Sequence, residues 1–332
     1  MSADGDLNDG LVIKSLSGFY TLLTEEGEQI TARVRGRLKK ERKEATLVAV
    51  GDHVKWRRSP DQGYTIEDVL ERKRALSRLK PLSSGRGTRR WDRQGYLREQ
   101  EQVIIANPDQ VVFVIASANP DPHLRMLDRL LVGAERQEIP PLICANKIDL
   151  VGRGEAERMF SIYESIGYPV LYTSAHTGEG IDQLREQLQD RISALIGPSG
   201  VGKSSLLNRL EPGLGQRVKD VSTATGKGRH TTTVAELVPL EVGGWVADTP
   251  GIRALALFDL DPEEIDAYFP DIVPYVPQCS FSDCTHTVEP DCAVRAALAR
   301  GEIGQHRYES YVKLHEEHTK LAELYWWGID EE

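Results

Sequence analysis

Nine consecutive residues hold the densest chemistry in the chain: Gly197, Pro198, Ser199, Gly200, Val201, Gly202, Lys203, Ser204 and Ser205. The first eight match the phosphate-loop spacing GxxxxGK[ST]. Glycines let backbone N–H groups turn inward around a β-phosphate. Lys203 reaches the β- and γ-phosphate oxygens, and the Ser204 hydroxyl falls where a nucleotide-bound Mg²⁺ needs an oxygen ligand. The apolar run 192–196 before the loop reads as a strand, and the residues after it as a helix. The positive N-terminal end of that helix adds to the anion site. Glycine-rich stretches arise by chance, but the strand–loop–helix setting argues for a nucleotide.

A phosphate loop does not name the base. Asn146, Lys147, Ile148 and Asp149 go further, because they follow the apolar run 142–145 and so sit at a carboxyl end of the sheet, where open α/β sheets bind ligands. A carboxylate at Asp149 can accept from both N1–H and the 2-amino group of guanine, and adenine offers no such pair. Asn146 can reach the N7 side of the ring and tie down the loop, while the Lys147 stem can cover the base. Ser174 and Ala175 follow another short strand, 170–172, and supply a loop whose backbone N–H could meet guanine O6. Taken with the phosphate loop, these residues point to GTP and GDP.

Asp248, Thr249, Pro250 and Gly251 end the apolar run 245–247 and have the form of a Mg²⁺ and γ-phosphate sensor. Asp248 is expected to hold Mg²⁺ through water, and the Gly251 N–H to face the γ-phosphate. Between the two motifs lies the threonine-rich stretch 225–233. Thr232, with Thr231 the near alternative, is read as the residue that closes onto Mg²⁺ only while the γ-phosphate is present. Many GTPases place a glutamine directly after the DxxG motif to orient the attacking water. Here that position is Ile252, which cannot. His230 is the available polar candidate; the competing reading is that it contacts RNA or nothing.

A second kind of chemistry lies in Cys279, Cys284, His286 and Cys292. Three thiolates and an imidazole complete a tetrahedral structural zinc site with no open catalytic position. Disulfide pairing is the competing reading, and three cysteines within fourteen residues cannot pair evenly. The fourth cysteine, Cys144, stands inside an apolar run and reads as core.

These groups need elements to position them. Residues 11–71 break into five short β-rich runs (11–16, 19–24, 29–38, 46–56 and 64–69), which predicts a small barrel, OB-like with an SH3-like barrel as competitor. From residue 103 strand and helix patterns alternate, which predicts a mostly parallel sheet covered on both faces. After Gly251 the chain reads as helical and loop-rich, with a closing helix over about 308–327. The expected organisation is therefore multidomain: an all-β OB-like barrel (1–75), a basic linker (76–102), a central α/β GTPase domain (103–255) and a mainly helical zinc-binding domain (256–332).

Net charge is −10, which argues against a nucleic-acid partner until its distribution is read. Residues 72–98 hold ten Lys/Arg and one acid, Asp92, a patch that attracts phosphate backbones whatever the total charge. A solvated linker is the alternative, compatible with ordering on RNA. The longest apolar stretch, 111–118, is too short to span a bilayer, and the acidic start is unlike a signal peptide; the expected location is the cytoplasm, with no membrane partner.

The motif order is rotated: NKID and SA precede the phosphate loop, and the Asp248 motif comes last. Rotation preserves the site if the old termini were adjacent. With a barrel in front and a Cys₃His segment behind, the chain resembles the ribosome small-subunit-dependent GTPase A family (RsgA, also called YjeQ), from about residue 11 to 320. Matching stretches include Arg35-Gly36-Arg37, Val50-Gly51-Asp52, the run 106–110, Leu127-Asp128-Arg129, the run 226–232 and the run 248–253. The resemblance implies a monomeric maturation factor that hydrolyses GTP to GDP and phosphate. It would bind the 30S subunit and its 16S rRNA in the GTP state, be stimulated by that particle and leave after hydrolysis. A nucleotide-gated RNA-binding chaperone with incidental hydrolysis stays open beside it.

Overall fold

The computed structural model describes residues 7–36, 38, 46–59, 63–79, 101–223, 236–248 and 260–327. Thr231, Thr232, His230, Gly251, Ile252 and most of the basic stretch 72–98 lie outside the described residues, as does the side chain of Asp248.

Strands β1 (Asn8–Leu16), β2 (Phe19–Thr24), β3 (Gln29–Val34), β4 (His53–Ser59) and β5 (Gly63–Val69) close into a barrel in the order β1-β2-β3-β5-β4. Alternation builds it: on β3, Ile30, Ala32 and Val34 point inward while Gln29, Thr31 and Arg33 face out. β3 runs parallel to β5 and β1 returns to pair with β4, a five-stranded barrel of OB type rather than the SH3-like alternative.

The expected strand over 46–56 begins only at His53. The buried Asp52 carboxylate takes the Ala49 N–H at 2.7 Å and Arg72 Nε and Nη2 at 2.8 and 2.9 Å, folding the preceding residues into a turn. Gly51 is required there, with φ +90° and an added Cβ 2.0 Å from Ala106 O.

β6 (Ala75–Leu79) and β7 (Glu101–Ala106) pair antiparallel as a separate ribbon. Residues 76–79 and 101–102, read as linker, are thus strand, and 103–106 belongs to this ribbon rather than to the main sheet. Pairing across the intervening residues 80–100 leaves no local signal.

The main sheet follows: β8 (Gln110–Ala116), α1 (Leu124–Arg136), β9 (Pro141–Asn146), α2 (Arg153–Ser165), β10 (Val170–Thr173), α3 (Ile181–Leu188), β11 (Ile192–Ile196), α4 (Lys203–Leu210), α5 (Leu214–Thr223), β12 (Val238–Pro239) and β13 (Trp245–Asp248). Strand order is β10-β9-β8-β11-β13-β12, parallel except for β12. Every β8 residue is buried, as a continuous apolar run on a two-faced sheet requires. Val111, Phe113 and Ile115 pack with Leu127, Leu131 and Phe160 of α1 and α2. Val112 and Val114 pack with Leu184 and Leu206 of α3 and α4.

Residues 262–268 and 273–278 form 3₁₀ turns, followed by α6 (Ala293–Ala299) and α7 (Gln305–Trp327). Their core includes Val132 of α1 beside Ile265, Phe269, Ile272 and Tyr311. A buried polar network crosses the same seam. Arg307 of α7, fully buried, donates to Asp271 at 2.8 and 3.2 Å and to Asp128 of α1 at 2.7 Å. Tyr163 of α2 and Ser310 of α7 donate to the same Asp128 carboxylate, and His306 Nε2 lies 2.9 Å from it. Burial raises the Asp128 pKa, but His306, Arg307 and Ser310 outweigh it and hold the carboxyl below the usual range. No helix among the described residues is long and apolar enough to cross a membrane.

Candidate nucleotide site and metal centre

The carboxyl ends of β8, β9, β10, β11 and β13 gather the expected motifs on one edge of the sheet. β11 delivers the loop 197–202. An added Cβ on Gly197 would stand 2.2 Å from Val114 O, and one on Gly202 would stand 2.4 Å from Asn146 Nδ2. Gly200 and Gly202 also hold φ +83° and +101°, a backbone that side chains disfavour. α4 opens directly at Lys203 with no side-chain cap from Gly202, so its first N–H groups face the loop as an anion site requires. Lys203 folds back over the loop, Nζ donating to Gly197 O at 2.7 Å and Pro198 O at 3.0 Å. Val201 is buried beneath, whereas Ser199, Ser204 and Ser205 are exposed at the rim.

β9 ends in Asn146, which is fully buried. Its Nδ2 donates to Val201 O at 2.8 Å and its Oδ1 accepts from Thr173 Oγ1 at 3.1 Å. The amide therefore staples the base-reading loop to the phosphate loop and to β10; of the two tasks expected of Asn146, tying down is the one its contacts display. Cys144 stands behind Thr173, thiol to hydroxyl 3.3 Å, and burial pushes its pKa up to about 12, as fits a core residue. Lys147, in the left-handed region at φ +62°, donates from Nζ to Asn119 O. Ile148 is buried and anchors the turn, leaving Asp149 exposed. The buried Ser174 hydroxyl donates to Asp149 Oδ1 at 2.6 Å while accepting the Thr177 N–H at 3.1 Å, so the carboxylate is aimed before any base arrives. Ala175 follows in the same loop, which Gly180 closes against Tyr172 O.

β13 lies beside β11 with Asp248 opposite Leu195, two residues before Gly197. The Asp248 backbone therefore reaches the same end of the sheet as Ser204. A hydroxyl and a carboxylate are the hard oxygen donors Mg²⁺ prefers.

Thr173 and Asn119 hydrogen-bond Asn146 and Lys147 and were not singled out by motif reading. Thr173 stands directly before the Ser174–Ala175 pair, which was its only available signal. Asn119 carries none, because it acts through its carbonyl.

In the C-terminal region the ligand atoms of Cys279, Cys284, His286 and Cys292 lie within 4.8 Å of one another. Cys279 Sγ and Cys292 Sγ each lie 3.5 Å from His286 Nδ1 and 3.9 Å from each other. Tetrahedral zinc, with Zn–S about 2.3 Å and Zn–N about 2.0 Å, needs edges of about 3.8 Å (S···S) and about 3.5 Å (S···N); Cys279, His286 and Cys292 match that face, and Cys284 lies within 4.8 Å of them as the fourth candidate ligand. His286 Nε2 meets Asp266 Oδ2 at 3.2 Å, the outer carboxylate that turns Nδ1 toward a metal. Burial opposes charge on the His286 ring, but Asp266 and the Cys292 and Cys279 sulfurs raise its pKa to about 9. Burial opposes thiolates here: the Val294 and Ala293 N–H groups at the start of α6 still bring the Cys279 pKa below the usual value, whereas Cys284 is pushed up to about 12. Glu289 braces the knuckle by accepting the Thr285, Thr287 and Val288 N–H groups at 2.9, 3.0 and 3.1 Å.

Comparison with known proteins follows the same lines. The RsgA GTPase family model matches residues 90–258, and the RsgA N-terminal domain model matches residues 9–65. A protein of Gemmatimonas aurantiaca named small ribosomal subunit biogenesis GTPase RsgA is 45% identical over 93% of this chain and 96% of its own length. The Moorella thermoacetica protein of that name is 41% identical over 95% and 97%. Among solved structures, YjeQ from Thermotoga maritima superposes with TM-score 0.74 at 35% identity, covering 95% of this chain and 99% of its own. YloQ, described as a circularly permuted GTPase, gives 0.69 at 31%, covering 96% and 98%. Matches of this length cover nearly the whole fold described above, and this chain belongs to the RsgA GTPase family, P-loop GTP hydrolases.

Proposed function

We propose that the protein hydrolyses GTP to GDP and phosphate on the small ribosomal subunit, as a late maturation factor that binds the 30S particle in its GTP state and is stimulated by it. The observation that carries the nucleotide half is the Asn146 staple joining the phosphate loop to the base-reading loop. Asp149 and Lys147 read and cover guanine, with Ser174 orienting Asp149 and the Ala175 N–H meeting O6. The loop N–H groups and Lys203 hold the phosphates. Ser204, Thr232 and Asp248 would hold Mg²⁺, which supplies charge neutralisation between the β- and γ-phosphates. The Gly251 N–H would face the γ-phosphate, and His230 would position the water that Ile252 cannot orient. A His230→Ala protein that kept full particle-stimulated turnover would contradict that last role. One structural zinc on Cys279, Cys284, His286 and Cys292 holds the C-terminal module.

Support for the RNA half comes from the barrel. On its outer face the Arg33 guanidinium lies 4.4 Å from the Phe19 ring centroid, and Arg35 and Arg57 flank Glu67 beside it. Stacking surface next to cations suits single-stranded or looped 16S rRNA, and the basic stretch 72–98 extends the charge. The site of action is the cytoplasm and the working form a monomer. The test is co-sedimentation with 30S subunits carrying a non-hydrolysable GTP analogue or GDP, across a salt series. Retention with the analogue, release with GDP and a steep salt dependence are expected; salt-insensitive or nucleotide-insensitive binding contradicts the reading. Ile252 in place of a glutamine favours one alternative, a nucleotide-gated RNA-binding chaperone, which predicts binding without stimulated turnover.

A further inference from the structure

Among the described residues, two hydrogen-bonded joints link the barrel to the chain that follows. At one, the Ala106 N–H donates to Val50 O at 2.7 Å and Asn107 Nδ2 to Gly51 O at 3.1 Å. The other is built on an irregularity in β1. Val12 pairs with Leu22 and Lys14 with Thr21, so Ile13 has no partner on β2. A bulge of this kind takes one residue out of its own ladder and re-aims it. The freed Ile13 carbonyl accepts the Leu237 N–H at 2.9 Å. Lys14 forms an antiparallel bridge with Glu236, Nζ 2.6 Å from Oε2. Consecutive side chains part company: Val12 enters the barrel core, while Ile13 enters the nucleotide domain's core with Leu237. A cleft of about 350 Å³, lined in part by Thr31 and Trp245, opens beside the joint. Around these polar contacts the seam is apolar, with Ile13 and Val50 of the barrel sharing one core with Leu76, Ile105, Val111 and Leu237.

Position along the chain gives the joint its meaning. Glu236 follows Thr232 by four residues, and the next residues form β12, which pairs with the strand ending at Asp248. We propose that Ile13 and Lys14 couple the barrel to stimulated turnover and take no part in the basal reaction: the β1 bulge anchors the chain between the two switch motifs, so that engagement of the barrel's outer face is delivered to the nucleotide site. This rests on the reading that a ribosomal particle stimulates turnover. Lys14 and Glu236 are partly exposed, at 38% and 27%, and such pairs add little to stability. The pair is thus removable without unfolding the protein.

The experiment uses full-length Lys14→Glu, Glu236→Lys and the double charge swap, with steady-state GTP hydrolysis measured alone and with saturating 30S subunits. Each single variant is expected to keep its basal turnover and its melting temperature. Each should lose roughly three- to tenfold in stimulated kcat with KM for GTP unmoved. The double swap restores the opposite-charge pair and should recover stimulation, which a general structural defect would not do. If wild type is stimulated and the single variants respond as fully, or the swap fails to recover them, the joint is overturned while the functional reading stands. If wild type itself is not stimulated, the functional reading falls, and the joint falls with it for want of a signal to deliver.

Discussion

Arg307→Met removes the central cation of the buried network while keeping an apolar chain of similar length. Two carboxylates lose their countercharge, Asp128 and Asp271, whose side chains are 0% and 3% exposed. Asp271 loses both of its hydrogen bonds to Arg307, and Asp128 retains Tyr163, Ser310 and His306. Breaking a buried ion pair by removing one partner costs about 3–5 kcal/mol, because the remaining charge stays desolvated. The partial rescue of Asp128 by its other donors places the expectation near the lower half of that range. The exposed Arg300–Glu302 pair, with about half of each side chain in solvent, is the control: Arg300→Met should leave the unfolding midpoint unmoved, because solvent screens such a pair. Urea unfolding of the full chain, followed by circular dichroism with proteolysis of the C-terminal module in parallel, reads both. Adding Asp128→Asn and Asp271→Asn to Arg307→Met should recover part of the loss, since no buried charge then remains. A loss for Arg307→Met no greater than that for Arg300→Met would refute the claim that this network, rather than apolar packing alone, locks α7 onto α1.

Four further outcomes follow from other parts of the structure. Asp149→Asn replaces one of two acceptors facing guanine by a donor. GTP affinity should fall roughly 10- to 100-fold, with xanthosine triphosphate, whose 2-oxo group accepts, gaining; competition binding reads it, and equal loss for both nucleotides would contradict the assignment. Cys284→Ala should reduce bound zinc from about one per chain to near none and lower the melting temperature of the C-terminal module, measured by elemental analysis and calorimetry. The His306 pKa is raised by its contact with Asp128, against the opposing effect of burial. Its contribution is therefore fully present below about pH 6.5, the unfolded value, and is lost as pH rises through the folded value. The decline in stability above that pH should disappear in His306→Gln. Gly202→Ala should abolish nucleotide binding, because the added Cβ meets the Asn146 amide at 2.4 Å; unchanged affinity in equilibrium binding would contradict the staple.

Much of this was legible in the residues because local chemistry dictated it. The phosphate loop, NKID and Ser174–Ala175 are compact motifs, each following an apolar strand whose burial pattern sets its end of the sheet. The four metal ligands stand within fourteen residues, so their convergence needed no long-range information. What escaped notice is non-local. β6 and β7 pair across residues 80–100, and neither run signals the other. The Asp128 network joins residues up to 182 positions apart. Its one trace in the sequence is an aspartate on the apolar face of α1 between Leu127 and Leu130. The β1 bulge escaped for a different reason: Val12, Ile13 and Lys14 read as ordinary strand, and only the position of Leu237 shows which way Ile13 turns.

The central claim is that a GTP site assembled by rotated motifs is put to work on the small ribosomal subunit. GTP hydrolysis titrated with purified 30S subunits, with 50S subunits as control, tests it most directly. Turnover that rises many-fold and saturates with 30S, but stays at its basal rate with 50S, is the predicted result. A rate that neither particle changes, or that both raise alike, would contradict it.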